Sequence, residues 1–130
     1  FVLDTMEFLA AGGRCPTLVA YLGGKLSCRP GILVDNQSGA MKVGKLYRGK
    51  QEKVLERYVS DTLARYTDIV KDEIFITHSG VSDEVAAAVR KLLEERGFRT
   101  IYTTTASCTI SSHCGPGTLG ILFMTETPSA

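Results

Sequence analysis

A strand, a helix and a second strand follow one another over residues 74–104, and this segment constrains the fold more than any other. Residues 74–78, with the sequence IFITH, are rich in apolar and β-branched side chains, as in a buried strand. Ser82 is a favourable N-cap for a helix that ends at Gly97, and residues 99–104 form a further β-rich run. We therefore expect two parallel strands joined by a crossover helix, for which the right-handed form is strongly preferred.

The remaining strands make the sheet mixed. Residues 31–35 are a short apolar run, residues 36–39 have turn composition, and residues 40–47 alternate imperfectly, which together predict a β-hairpin. Residues 50–67 carry apolar side chains at helical spacing and predict a long amphipathic helix. Residues 119–124 supply one more strand. The sequence thus predicts an α/β fold, a two-layer sandwich with a mixed β-sheet and a β-α-β crossover.

Two short helices are predicted near the start of the chain. Asp4 or Thr5 can cap the first, which Gly12 and Gly13 end. The second begins at Pro16, a residue suited to a first helical position, and ends at residues 23–24. Such small helices suggest a cap over a core or a ligand.

The length and composition of the chain limit the functions that it can have. A chain of 130 residues is the usual size of one domain. Its net charge of +1 gives no general attraction to nucleic acid. Without an apolar run near the roughly 20 residues of a membrane-spanning helix, we expect no stable membrane insertion. The four cysteines contain no C-x-x-C pair, which favours free thiols in a reducing cytoplasm over disulfides or zinc.

The most unusual segment is the polar, glycine-rich residues 110–118, which we predict to be a loop between two strands. His113 offers hydrogen-bonding nitrogens, and Gly115 and Gly117 let backbone amides approach a carboxylate or phosphate. The alternative is a tight connection in which His113 only bonds a neighbouring carbonyl. Cys114 beside His113 is not expected to form a nucleophile and base, because adjacent residues of an extended chain point to opposite sides.

Two basic features are further candidates. Arg14 follows two glycines and could clamp an anion, or could lie over the core and bind the last carbonyls of its helix. The basic run of Lys42, Lys45, Arg48 and Lys50 is either a solvated strand end or a docking patch for an acidic partner. His78, at a strand end, is interpreted as structural.

Several short motifs, taken in order, resemble the C-terminal half of DegV-family proteins, the bacterial fatty-acid-binding subunits that work with a fatty-acid kinase. The motifs are LDTMEFL at 3–9, GGR at 12–14, LG at 22–23, PGIL at 30–33, then Gly39, Lys45, Arg48 and Gly49, and finally SHCGPGTLG at 112–120. They span almost the whole chain. The sequence also opens inside an apolar segment without a methionine, so we expect 1–130 to be a single domain from a longer protein.

The resemblance implies that a long-chain fatty acid lies between this domain and an N-terminal domain, with the acyl tail in an apolar tunnel. His113 would be this domain's contact with the carboxylate, and Arg14 would support the head group or the cap. Ser112, Gly115 and Gly117 would belong to the same ligand-binding loop.

The resemblance also implies a partner. The bound fatty acid would be presented to a separate ATP-dependent kinase, with Arg48 as the kinase-facing contact. The protein itself would be a cytoplasmic carrier that has no catalytic residue, cofactor or metal.

Two other functions compete with the carrier hypothesis. In one, the domain is a regulatory or assembly module whose exposed apolar face packs on the N-terminal domain without lipid. In the other, it belongs to a kinase for a small hydroxylated ketone, because the resemblance implies an N-terminal domain type shared with such enzymes. The sequence contains no phosphate loop or metal-binding carboxylate cluster that would favour the kinase.

Overall fold

The structure is a computed structural model that describes residues 1–14 and 28–128. In chain order its elements are α1 (Glu7–Ala11), β1 (Cys28–Val34), β2 (Met41–Arg48), α2 (Gln51–Leu63), β3 (Ile69–Ser79), α3 (Asp83–Glu95), β4 (Thr100–Thr105), α4 (Cys108–Cys114) and β5 (Thr118–Thr125). The predicted second short helix, from Pro16 to residues 23–24, lies outside the described residues.

The predicted mixed sheet is confirmed. β3 lies between β4, which runs parallel to it, and β5, which runs antiparallel. β1 and β2 form the predicted antiparallel hairpin. Val2 forms antiparallel bridges to Gly31 of β1 and to Leu119 of β5, so the first residues of the chain join the hairpin to the three-stranded sheet.

The main hydrophobic core lies between the sheet and the two long helices. It contains Val54, Leu55, Tyr58, Val59 and Leu63 from α2, Val89 and Leu93 from α3, and Ile74, Ile76, Ile101, Leu119 and Ile121 from the strands. The apolar positions of both helices recur at three and four residues, so each helix presents one continuous stripe to the sheet. The sheet with α2 and α3 forms the two layers of the α/β architecture that the sequence predicts.

A second, smaller hydrophobic cluster shows where α1 and α4 pack on the sheet. It joins Leu3, Leu9, Ile32 and Cys114. Val2 belongs to the main core whereas Leu3 belongs to this cluster, and successive side chains of an extended segment point to opposite faces. The short helices α1 and α4 therefore pack on the face of the sheet opposite α2 and α3.

The prediction that residues 110–118 form a loop is wrong. Residues from Cys108 to Cys114 are helical, and the hydroxyl of Ser107 caps this helix by accepting a hydrogen bond from the Ile110 amide at 3.4 Å. Only residues 115–117 connect the helix to β5. His113 and Cys114 are thus helical neighbours, about 100° apart around the helix axis, and not neighbours on an extended chain.

Two helix boundaries also differ from prediction. The long helix that was expected to reach residue 67 ends at Leu63, and β3 begins at Ile69. The N-cap of α1 is Met6, without a side-chain hydrogen bond. Thr5 accepts a hydrogen bond from the Glu7 amide at 3.3 Å, whereas Asp4 forms a salt bridge with Arg29 at 2.6 Å.

Candidate functional site

A cavity of about 680 Å³ lies beside the N-terminal segment. This volume is within the range of roughly 300–1,000 Å³ that is typical of small-molecule sites. Its described apolar lining includes Phe1, Leu9, Ile32, Leu33, Val34, Met41, Ile110, Ile121, Leu122 and Phe123. The polar lining includes Arg14, Tyr58, Thr62, Thr77, His78, Ser79, Thr109, His113 and Thr118. The wall is predominantly apolar, which suits a ligand with a large hydrocarbon part.

His113 lies in the last turn of α4 and lines the cavity. Its ring packs against the end of α1, where a Cβ atom on Gly12 would lie only 2.5 Å from Nδ1 of His113. Nδ1 is buried and has no hydrogen-bond partner among the described residues. Nε2 lies on a different edge of the imidazole ring from this buried nitrogen.

Two buried hydroxyls hold the turn that follows His113. The Ser79 hydroxyl donates to the Gly115 carbonyl, and the Thr118 hydroxyl donates to the Cys114 carbonyl at 3.0 Å. The Gly117 amide donates to the Ser79 carbonyl at 2.7 Å. These bonds tie the end of α4 to the end of β3 and the start of β5.

The amides of the two turn glycines are already engaged within the protein. The Gly115 amide donates to the Ser111 carbonyl at 2.8 Å, and the Gly117 amide donates to Ser79. Both glycines have φ near +80°, a conformation that other residues rarely adopt. Their role in the structure is to shape the turn, and their predicted contact with a ligand stays a prediction.

Arg14 lines the same cavity as His113. Gly13, with φ of +67°, ends α1 in the left-handed conformation, and the Arg14 amide then donates to the Leu9 carbonyl at 3.0 Å. Among the described lining residues there is no aspartate or glutamate. An anionic head group would therefore meet a guanidinium and an imidazole without a repelling carboxylate.

The other predicted site residues lie elsewhere. Ser112 is exposed, its hydroxyl donates to carbonyls of its own helix, and it does not line the cavity. Arg48, at the end of β2, is exposed and is also outside the lining. The Arg48 carbonyl accepts a hydrogen bond from the Arg57 guanidinium. Within the same basic run, Lys45 is paired with Asp61 at 2.7 Å.

Sequence analysis missed several lining residues on α2 and β3. Tyr58 is buried, and its hydroxyl accepts a hydrogen bond from the Ile121 amide at 3.3 Å. The helical spacing over residues 50–67 is consistent with Tyr58 on the apolar face of the helix, but it gives no sign that this face reaches a cavity. His78 has the expected structural bond, accepting from the Val81 amide at 3.3 Å, and it also lines the cavity.

Among the described lining residues, neither the Cys114 thiol nor the Tyr58 hydroxyl is an activated nucleophile. Cys114 is buried in the smaller cluster, and burial raises the pKa of its thiol. Burial also raises the pKa of Tyr58. Both groups are therefore neutral near pH 7. The described lining offers hydrogen bonding from His113 at the end of α4, charge attraction from Arg14 beyond α1, and apolar contact elsewhere. No helix within residues 1–14 and 28–128 is long and apolar enough to cross a membrane.

Comparisons with known proteins agree with this architecture. A DegV domain-containing protein of Lactococcus lactis is 31% identical over 127 residues, which cover 97% of this chain and 43% of the relative. A solved DegV family protein from Thermus thermophilus, described by its fatty acid binding, is 28% identical with a TM-score of 0.75, over 93% of this chain and 44% of that one. The fatty acid kinase B3 protein of Streptococcus pneumoniae, loaded with linoleic acid, has the same fold at 16% identity, with a TM-score of 0.72 over 92% of this chain and 41% of that one.

The chain thus spans less than half the length of the relatives it matches. The family model described as "Uncharacterised protein, DegV family" matches residues 1–126. This chain belongs to the DegV family.

Proposed function

We propose that this chain is the C-terminal half of a carrier that binds one long-chain fatty acid between two domains. The single observation that carries the proposal is the composition of the cavity. It joins a long apolar wall to His113 and Arg14, and its described lining contains no acidic side chain. The Thermus thermophilus relative, which is described by its fatty acid binding, supports the same ligand class.

The energetics of such a ligand fit this lining. Each methylene removed from water contributes about 0.8 kcal/mol, so a long acyl tail supplies most of the affinity. Hydrogen bonds to a carboxylate are charge-assisted and about twice as strong as neutral ones. His113 donates from Nε2 in this proposal, and Arg14 supplies the positive charge. Gly115 and Gly117 shape the turn after α4 and so fix the site of the head group, and contact of Ser112 with the ligand stays a prediction.

The proposed protein carries its ligand and does not transform it. It presents the fatty acid to a separate kinase in the cytoplasm, where the exposed Cys108 thiol suits a reducing compartment. The kinase B3 protein of Streptococcus pneumoniae, which shares the fold, supports such a partnership. Arg48, exposed at the end of β2, is the proposed contact with the kinase.

A titration of the full-length parent protein with palmitate tests the carboxylate site. His113→Ala should weaken palmitate binding about 10- to 100-fold, because a hydrogen bond to a charged group contributes about 1.5–3 kcal/mol. Hexadecan-1-ol, with the same tail and no charge, is the matched ligand and should lose less affinity. Equal palmitate affinity in the variant and the wild type would remove His113 from the site.

The alternative function is an assembly module that packs on an N-terminal domain without lipid. One observation favours it: Phe75 and Tyr102 stack on the sheet and remain exposed, together with Leu122 and Met124. This alternative predicts that the chain alone dimerises through the face formed by these four residues and that the parent contains no lipid. Sedimentation of the chain and lipid extraction of the parent separate the two functions.

A further inference from the structure

Helices α1 and α4 contact each other at two places, in each of which an aromatic ring from one helix packs against a glycine at the end of the other. The His113 ring of α4 lies over Gly12 at the end of α1, where an added Cβ would be 2.5 Å from Nδ1 and 3.3 Å from Cε1. In return, the Phe8 ring of α1 lies over Gly115 at the end of α4, where an added Cβ would be 2.5 Å from Cδ2. Each helix is thus followed by a glycine against which an aromatic side chain of the other helix packs.

Gly12 is required by space and not by backbone conformation. Its φ is −79° and its ψ is 0°, values that any residue adopts. Gly13 is the opposite case, because its φ is +67° but an added Cβ would meet nothing within 4 Å. A side chain at residue 12 would therefore displace the His113 imidazole, whereas a side chain at residue 13 would strain only the backbone.

We propose that Gly12 is a positioning residue, which seats the His113 imidazole so that Nε2 faces the cavity. This inference rests on the proposed function, in which His113 meets the carboxylate of a fatty acid. We call the contact between Gly12 and the His113 ring the seat. It covers Nδ1, which is buried, and so fixes the edge of the ring that a ligand meets. Because Arg14 lies two residues beyond Gly12 and lines the same cavity, the end of α1 places both groups of the head-group site.

The Phe8 contact joins α1 and α4 at a second point. Gly115 has φ of +79° and lies directly after α4, so the Phe8 ring holds the end of α4 at a fixed distance from α1. The two contacts together determine how the end of α4 packs against the end of α1. The direction of the imidazole is therefore a property of the helix pair and not of the His113 rotamer alone.

Stability measurements on the full-length parent test the seat without any ligand. The proteins are the wild type, Gly12→Ala, His113→Ala and the double variant, each unfolded in urea. Gly12→Ala should lower the unfolding midpoint of the wild type. In the His113→Ala background the same change should lower the midpoint much less or not at all, because the 2.5 Å contact with the ring is gone and only the Phe8 carbonyl oxygen, at 3.3 Å, still lies close to the added Cβ. An equal loss in both backgrounds would show that no seat exists.

Ligand titrations on the same proteins test positioning. Gly12→Ala should weaken palmitate binding by about the same factor as His113→Ala, and the double variant should be no weaker than His113→Ala alone. Hexadecan-1-ol binding should change less. Gly13→Ala is the control, because it strains the same helix end without touching the ring, and it should keep the preference for the acid over the alcohol.

The outcomes separate the two proposals. The positioning role would be overturned by one combination of results. The urea experiments would show that Gly12→Ala destabilises the protein only when His113 is present, yet Gly12→Ala would leave the palmitate affinity unchanged. Failure of the wild-type parent to bind palmitate would overturn the proposed function and with it the role of Gly12 in binding, while the stability cycle would still decide whether the seat exists.

Discussion

The buried hydroxyl of Ser79, at the end of β3, donates a hydrogen bond to the carbonyl of Gly115, directly after α4. This bond joins two segments that are distant in sequence and fixes the turn behind His113. Ser79→Ala would leave the Gly115 carbonyl without its partner, and a buried polar group left unsatisfied costs about 1–3 kcal/mol. Urea unfolding should show a loss of this size.

Ser112→Ala is the matched control for that measurement. The Ser112 hydroxyl is exposed and bonds carbonyls of its own helix, so its removal should change the free energy of unfolding by less than about 0.5 kcal/mol. Equal effects of the two substitutions would show that the Ser79 bond does not hold the turn.

Local signals were sufficient to predict much of the fold. Ser82 was predicted to cap α3, and its hydroxyl accepts a hydrogen bond from the Val85 amide at 3.3 Å. The hairpin and the parallel crossover followed from apolar runs separated by turn residues and a helix. In each case the determining interactions lie within a few residues or along one element, where a pattern in the sequence reports them.

The short helix α4 could not be predicted from periodicity. At seven residues it is less than two full turns, and its side chains are mostly polar. A capping signal was present at Ser107, but the glycines that follow favoured a loop. The contact of His113 with Gly12 depends on how α1 and α4 pack on the sheet, so no local pattern could report it.

The apolar wall can be tested with two exposed side chains of β5. Leu122 lines the cavity, whereas Met124, two residues further along the same strand, does not. Leu122→Ser should weaken binding of a long-chain fatty acid by about 1–2 kcal/mol, because the tail loses apolar contact. Met124→Ser is the control and should bind as the wild type does. Isothermal titration of the parent decides, and equal losses would remove Leu122 from the tail site.

The pH dependence of stability should include a contribution from Asp61. Hydrogen bonds from Lys45 and Tyr47, at 2.7 and 3.0 Å, lower the pKa of the Asp61 carboxyl. A lowered pKa in the folded state means that this stabilisation is present above the unfolded pKa of about 3.9 and is lost as the pH falls through the folded value.

Asp61→Asn isolates that contribution. The free energy of unfolding of the variant should fall less than that of the wild type between pH 6 and pH 3. The pKa values of Asp35 and Asp68 are also lowered, so the variant should keep part of the pH dependence. Identical pH profiles of the two proteins would contradict a role for the Asp61 pair.

The cysteines should differ in reactivity. Cys108 is exposed, whereas Cys28 and Cys114 are buried, and burial raises the pKa of the Cys114 thiol. Because the thiolate is the reactive form, Cys108 should be alkylated by iodoacetamide well before the two buried thiols in the native protein. Peptide mass spectrometry of timed samples follows each site. Labelling of Cys114 as early as Cys108 would contradict the packing of α4 against α1.

The central claim is that the parent protein carries a fatty acid, and mass spectrometry of an organic extract tests it most directly. The parent should be purified without added lipid and extracted in parallel with this chain alone. The account predicts a stoichiometric fatty acid from the parent and little from the chain, because half of an enclosing site buries only part of the tail. The absence of fatty acid from the parent would contradict the carrier function and favour an assembly module.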